Sequence, residues 1–281
     1  MIRSPGAPAK IVLSAAAVLA LLVAAGCGGK GSGPKAPPKP ALRAYVGTVL
    51  APAFGEIVQR FESQTKLGVA TVDGAASELA ARIAKSDSCD VFFPGGDKWM
   101  DWLEQQGKVE KGTRREIVRG TLVLVAAKEH SFAFDPAGSV PLPQAFQGQL
   151  AILNPDRVPV GAVTKQALER AGWWGAFASR LQPTPDPKTL LSVVGRGKGA
   201  AGIVCASDVQ GNPLVEVVAA LPDTLYDPMT YPAAILAGHA TPAARRFAEF
   251  LAGSEAGEIL ARHGFRLEKP GAPGAPGAPA K

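Results

Sequence analysis

The feature that most constrains this chain is an alternation. From Leu42 to Gln105, short apolar runs take turns with segments whose apolar residues recur every three or four positions. Leu42–Thr48 is an apolar run that breaks at Gly47-Thr48, and Leu50–Gln64 follows with Phe54, Ile57, Val58 and Phe61 on one helical face. Gly68–Val72 is a second strand, ended by Asp73-Gly74. Ala75–Lys85 is a helix with Leu79 and Ile83 inward, and Asp90–Phe93 is a third strand. Asp97 is placed to cap the helix Lys98–Gln105, which Gly107 ends. Such alternation predicts an α/β fold with mainly parallel sheets flanked by helices.

The second half repeats the theme less regularly. Leu122–Ala127 is a continuous apolar strand that leaves the first lobe, and Ser131–Gln147 is rich in Pro and Gly. Strands are expected at Leu150–Leu153, Gly202–Cys205 and Leu214–Ala219. Helices are expected at Ala162–Ala171, at Trp173-Trp174 and at Thr189–Val194, the last capped near Asp186. Tyr231–Leu236 returns to the first lobe. Thr241 then caps Ala243–Leu251 and Ser254 caps Glu255–Arg262, which Gly264 ends. The reading is one lobe inserted into another: 42–125 plus 230–266 as lobe 1, 126–229 as lobe 2, and two hinge crossings between them.

The two ends differ from this body. Arg3 and Lys10 precede an apolar run, Ile11 to Ala25, too short for a comfortable membrane span. It closes in Ala24-Ala25-Gly26-Cys27, similar to a bacterial lipobox. Residues 1–26 are therefore expected to be a lipoprotein signal peptide and Cys27 a lipid anchor; a plain signal peptide with an incidental cysteine is the other reading. Residues 27–41 carry Lys30, Lys35 and Lys39 among Gly and Pro, a solvated tether. The tail, 267–281, ends in GAPGAPGAPAK and is expected to be disordered.

Composition removes several function classes. The formal charge of +6 lies partly in the leader and tether, and no basic run is interleaved with aromatics, so no nucleic-acid partner is expected. The three cysteines (Cys27, Cys89 and Cys205) include no CxxC pair. The three histidines (His130, His239 and His263) are scattered, so no metal site and no cofactor is expected. Cys89 and Cys205 could pair in an oxidising compartment. A nucleophilic Cys205 would need a base within reach, and no histidine is near it in sequence.

One stretch suggests a ligand. In Asn154–Ala167, NPDRVPVGAVTKQA, two prolines and a glycine separate a strand from a new helix. The unpaired N–H groups of a helix start and its dipole favour an anion.

Several motifs carry a resemblance. Asp97-Lys98-Trp99-Met100-Asp101 is similar to DxKWMDxL. Asn154-Pro155, Val158-Pro159-Val160-Gly161 and Lys165-Gln166-Ala167-Leu168 resemble DPxxVPAGxYAKxAL. Gly202-Ile203-Val204-Cys205 with Asp208 resembles GIVYxSDA, and Tyr231-Pro232 and His263-Gly264-Phe265 match a YP and a YGF. In this order, from Arg43 to Phe265, they resemble the molybdate-binding proteins of ABC transporters, of the two-lobed type II periplasmic-binding fold. The resemblance implies a non-enzymatic, monomeric solute receptor on the periplasmic or cell-surface face of the membrane. Its partners would be an ABC permease, the membrane through the lipid anchor, and molybdate or tungstate in an interlobe cleft.

That family holds its oxyanion with hydroxyls and backbone N–H groups. Carried over by position, Thr48 stands for a serine, as a donor or as a strand-end cap. Ala76 stands for a second serine, with Ser77 one residue on, as a displaced donor or as an N-cap. Val160 contributes its backbone N–H. Pro187 stands where a valine offers an N–H that proline lacks. Cys205 replaces a tyrosine, as a weak donor or as a small core residue, and Val163 replaces another. The implied pocket is Thr48, Ala76, Ser77, Val160 and Cys205. The alternative is a receptor of the same fold that has lost molybdate and recognises another small ligand.

Overall fold

The computed structural model describes residues 39–85, 88–197 and 201–267. The expected leader, Cys27 and all but the ends of the tether and tail lie outside the described residues. In chain order, the first elements are β1 (Leu42–Gly47), α1 (Ala51–Thr65), β2 (Val69–Gly74), α2 (Ala76–Ala84), β3 (Val91–Phe93), α3 (Asp97–Gln105) and β4 (Arg115–Gly120). Then come β5 (Leu122–Ala127), α4 (Leu142–Ala145), β6 (Leu150–Leu153), α5 (Pro159–Arg170), α6 (Trp174–Phe177), β7 (Leu181–Thr184), α7 (Pro187–Gly195), β8 (Ala201–Cys205), α8 (Ala206–Val209) and β9 (Val215–Ala220). The chain closes with β10 (Met229–Ile235), α9 (Pro242–Leu251), α10 (Ser254–Arg262) and β11 (Arg266–Leu267).

Two sheets result, ordered β11-β4-β10-β3-β1-β2 and β7-β6-β8-β5-β9. Within each, the strands joined by helical crossovers are parallel: β1 with β2 and β3, and β6 with β7 and β8. The strands that link the sheets, β4, β5, β9 and β10, pair antiparallel. The expected mainly parallel sheets are thus mixed, because a strand entering from the other sheet brings no crossover helix to set its direction. The passages fall at Gly120–Leu122 and between Ala220 and Met229. The whole of β5 therefore belongs to the second sheet, ahead of the expected boundary at 125.

Burial on both faces follows from the pleat. In β1, Leu42, Ala44 and Val46 pack with α1, α9 and α10, while Tyr45 turns to α2 and α3. Val91 and Phe93 split from Phe92 in the same way. In the second sheet Leu122, Leu150, Ile152, Ile203 and Cys205 meet the α5 and α6 side, and Val123, Leu153 and Val204 meet α7. Phe54, Phe61 and Phe247 interlock edge to face at 4.9–5.8 Å beneath the first sheet. Cys89 and Cys205 form no disulfide; they lie in the cores of different sheets.

Three expected caps are corrected. Asp97 is the first residue of α3 after Gly96, and its carboxylate takes the Arg114 guanidinium at 2.9 Å and the Thr230 hydroxyl. Ser254 follows the cap Gly253, and Ser77 follows the cap Ala75. Thr241 and Asp186 do cap, accepting from the N–H of Ala244 at 3.2 Å and of Thr189 at 2.8 Å.

Candidate functional site

The first group of site residues sits where β1 and β2 end. Gly47 and Gly74 are register partners, so the turn that follows each strand starts at the same edge. Thr48 opens a 3-10 turn, Thr48–Leu50; it is exposed, and its hydroxyl caps nothing. A Cβ on Gly47 would meet the Pro94 carbonyl oxygen at 2.0 Å, so glycine alone lets the β1 and β3 ends lie this close. Beside them α2 begins at Ala76 with Ala75 as its cap and no side-chain acceptor on its first N–H groups. Ser77 is exposed, and its hydroxyl has no partner among the described residues.

The second group lies at the C-terminal edge of β6, β7 and β8, where Leu153 pairs with Thr184 and Ile152 with Ile203. The helix after β6 starts three residues earlier than the pattern implied, at Pro159, whose missing N–H costs nothing at a first helical position. Val158 is its cap and offers no side chain, so the Val160 and Gly161 N–H groups have no acceptor in the helix. A Cβ on Gly161 would stand 2.4 Å from the Leu153 carbonyl oxygen, so glycine lets α5 rest on the end of its own strand.

The start of α7 differs. Pro187 is its first residue, and the Asp186 carboxylate accepts the Thr189 N–H and the Thr189 hydroxyl, each at 2.8 Å. The backbone hydrogen bond from Thr189 holds that carboxyl below its ordinary range. An internal anion therefore already occupies the end of this helix. A cavity of about 550 Å³ opens beside it, lined by Asp186, Lys188, Asp208 and Asn212 among others. Asp208 is largely buried, and that burial raises its carboxyl to about 6 against a backbone hydrogen bond at Cys205.

Cys205 is 2 % exposed, with Sγ 4.0 Å from the Met229 sulfur. Burial, and then the Asp208 charge, push its thiol well up, so it stays protonated and is not an activated nucleophile. His239 pairs with Asp90 and His263 with Glu56, so neither serves Cys205 as a base. Among the described residues no group of three His, Cys, Asp or Glu is gathered as metal ligands, and no helix is long and apolar enough to cross a membrane.

The structure thus brings Thr48, Ala76 and Ser77 to one sheet edge and Val160, Pro187 and Cys205 to the other. Among the described residues no hydrogen bond joins the two sets. Between them stands a residue that site reasoning from the sequence passed over. Tyr231, on β10, packs its ring on Phe265 at 5.2 Å, and burial first, then the Asp208 carboxylate, raises its phenol. Its signal in the sequence was the Tyr-Pro pair, because Pro232 shifts the ladder register right after it.

Comparison with known proteins agrees with this architecture. Residues 42–266 match the family model described as bacterial extracellular solute-binding protein. The chain is 29% identical over 230 residues to the molybdate-binding protein ModA of Escherichia coli, covering 81% of this chain and 89% of that one. It is 25% identical over 255 residues to the putative ABC transporter substrate-binding lipoprotein YvgL of Bacillus subtilis, covering 90% and 96%. The substrate-binding domain of a putative molybdenum ABC transporter from Clostridium difficile superposes with a TM-score of 0.73 at 22% identity, covering 81% of this chain and 99% of that one. The two mixed sheets with flanking helices are accordingly the type II periplasmic-binding fold, and the chain belongs to the bacterial extracellular solute-binding proteins.

Proposed function

We propose that the chain is the extracytoplasmic receptor of an ABC importer and binds molybdate or a related tetrahedral oxyanion in a cleft between its two sheets. One observation carries this reading: α2 and α5 open just past the ends of β2 and β6 with no side-chain cap on their first N–H groups, α2 at the same sheet edge as Thr48. Helix starts left open at strand ends offer fixed N–H dipoles to an anion without a counter-charge. On this reading the donors are the Thr48 and Ser77 hydroxyls and the N–H groups of Ala76 and Val160, with Cys205 as a wall. The molybdate-binding relative supports the ligand class. The lipoprotein relative supports anchoring through Cys27 on the periplasmic or cell-surface face, next to a permease.

Titration calorimetry with molybdate, tungstate, sulfate and phosphate tests the ligand. Binding of molybdate and tungstate is expected, and Thr48→Ala should weaken it about tenfold, the worth of one hydrogen bond to a charged ligand. No heat with any of the four overturns the reading.

A second reading, a receptor of the same fold with a changed ligand, draws on α7. Pro187 removes one donor, and the Asp186 carboxylate occupies its neighbours. Binding of sulfate or phosphate without molybdate would select it.

A further inference from the structure

The chain has three tyrosines, and two of their hydroxyls are engaged. The Tyr45 hydroxyl accepts from Arg82 at 2.8 Å. The Tyr226 hydroxyl accepts the Leu122 N–H at 3.2 Å and faces the Asp223 carboxylate at 3.3 Å. The third, Tyr231, is 6 % exposed, yet its hydroxyl has no hydrogen-bond partner among the described residues. The hydroxyl oxygen itself is not shut off from solvent, so its donor stays open to a ligand.

Its surroundings place it between the two halves of the proposed site. The β10 register shifts at Tyr231/Pro232, and such an irregularity turns a side chain away from its regular direction. One ring edge lies 3.9 Å from the Cβ position of Gly95, whose own closest neighbour is the side chain of Val49, next to Thr48. The hydroxyl end lies 3.3 Å from the Cβ position of Gly120, where the chain leaves the first sheet for the second. Met229, whose sulfur lies 4.0 Å from that of Cys205, meets the same Gly120 position at 3.2 Å. Phe265 holds the ring from the side. Burial keeps the phenol protonated, so it is a donor at any physiological pH.

We propose that Tyr231 donates its hydroxyl hydrogen bond to the bound oxyanion, supplying from the first sheet the phenol that position 205 lacks. This rests on the oxyanion reading above. The acceptor is a ligand oxygen, since fully deprotonated molybdate presents only acceptors.

The test is Tyr231→Phe, read by calorimetry with molybdate and by the melting temperature without ligand. A loss of affinity of tenfold or more is expected, with the ligand-free melting temperature unchanged or raised. Tyr226→Phe, which removes an engaged hydroxyl, should instead lower the melting temperature and leave affinity within about threefold. Wild-type binding with equal affinity in Tyr231→Phe overturns the role of Tyr231 alone. A wild-type protein that binds none of the four oxyanions overturns both readings. A marked fall in the melting temperature of Tyr231→Phe overturns the role as well, because the hydroxyl is then structural.

Discussion

At the scale of single residues, Asp208 is where the fold tolerates a cost. Burial raises its carboxyl to about 6, and no cation is paired with it among the described residues. The folded chain therefore holds a proton that the unfolded chain releases near pH 4. Stability contributed by the protonated form is present below about pH 4 and is lost as the pH rises through 6. Asp208→Asn keeps the shape and an acceptor oxygen for the backbone bond. It should be more stable than the wild type at pH 7.5 by about 1–3 kcal/mol, with the difference vanishing near pH 4. Urea denaturation across that range checks it; equal stability at both ends would mean the carboxylate is solvated. The residue scale is also where the sequence was least informative. Thr48, Ala76 and Val160 could be placed by motif. The surroundings of the Tyr231 ring and hydroxyl depend on Gly95 and Gly120, which no local pattern joins to it.

At the scale of elements, periodicity was legible wherever both faces of a strand are buried or one face of a helix is. β1, β5, β6 and β8 are apolar almost throughout, and α1 shows its Phe54–Phe61 stripe. Three strands were missed for physical reasons; β11, at two residues, is too short for any alternation to show. β4 reads REIVRG, with charged ends where it leaves the sheet, and β7 contains Pro183, tolerable because it is the edge strand. Caps were misplaced by one or two residues at Asp97, Ser254 and Ser77, since a side chain in the first turn looks the same in sequence whether it caps or not. The element ends also set two predictions. Gly161→Ala would drive a Cβ to within 2.7 Å of the carbonyl oxygens of both Leu153 and Asn154. It should cost at least about 2 kcal/mol in urea denaturation and weaken oxyanion binding by displacing the Val160 N–H. Pro187→Val returns an N–H to the first turn of α7. Gains of up to tenfold in molybdate affinity are expected, limited by the Asp186 carboxylate that stays at that helix end; unchanged affinity would place α7 outside the pocket.

At the scale of the whole molecule, the two sheets belong to one compact unit, although each has its own core. The strands passing between them at Gly120–Leu122 and Ala220–Met229 supply continuity, and the C-terminal turn supplies a third tie. Gly264, at φ 84°, sets its Cα against the Ala206 backbone, where a Cβ would come within 2.7 Å of that residue's carbonyl carbon and oxygen. Next to it Arg266 pairs with Asp223 on the surface. The two contacts differ in kind, and magnitudes decide between them. An exposed ion pair is worth about 0–1 kcal/mol, so Arg266→Ala should shift stability by less than that. Gly264→Ala combines a left-handed backbone with a backbone clash across the halves and should cost about 2–3 kcal/mol. The four tryptophans report on each half separately, Trp99 and Trp102 on α3 and Trp173 and Trp174 around α6. Variants keeping only one pair should unfold at a common urea midpoint in the wild-type background, because the three ties couple the cores. In the Gly264→Ala background the midpoints should fall and separate. If they stay coincident and merely shift, the crossing strands alone carry the coupling between the sheets, and the C-terminal turn acts on stability without setting how the halves move together.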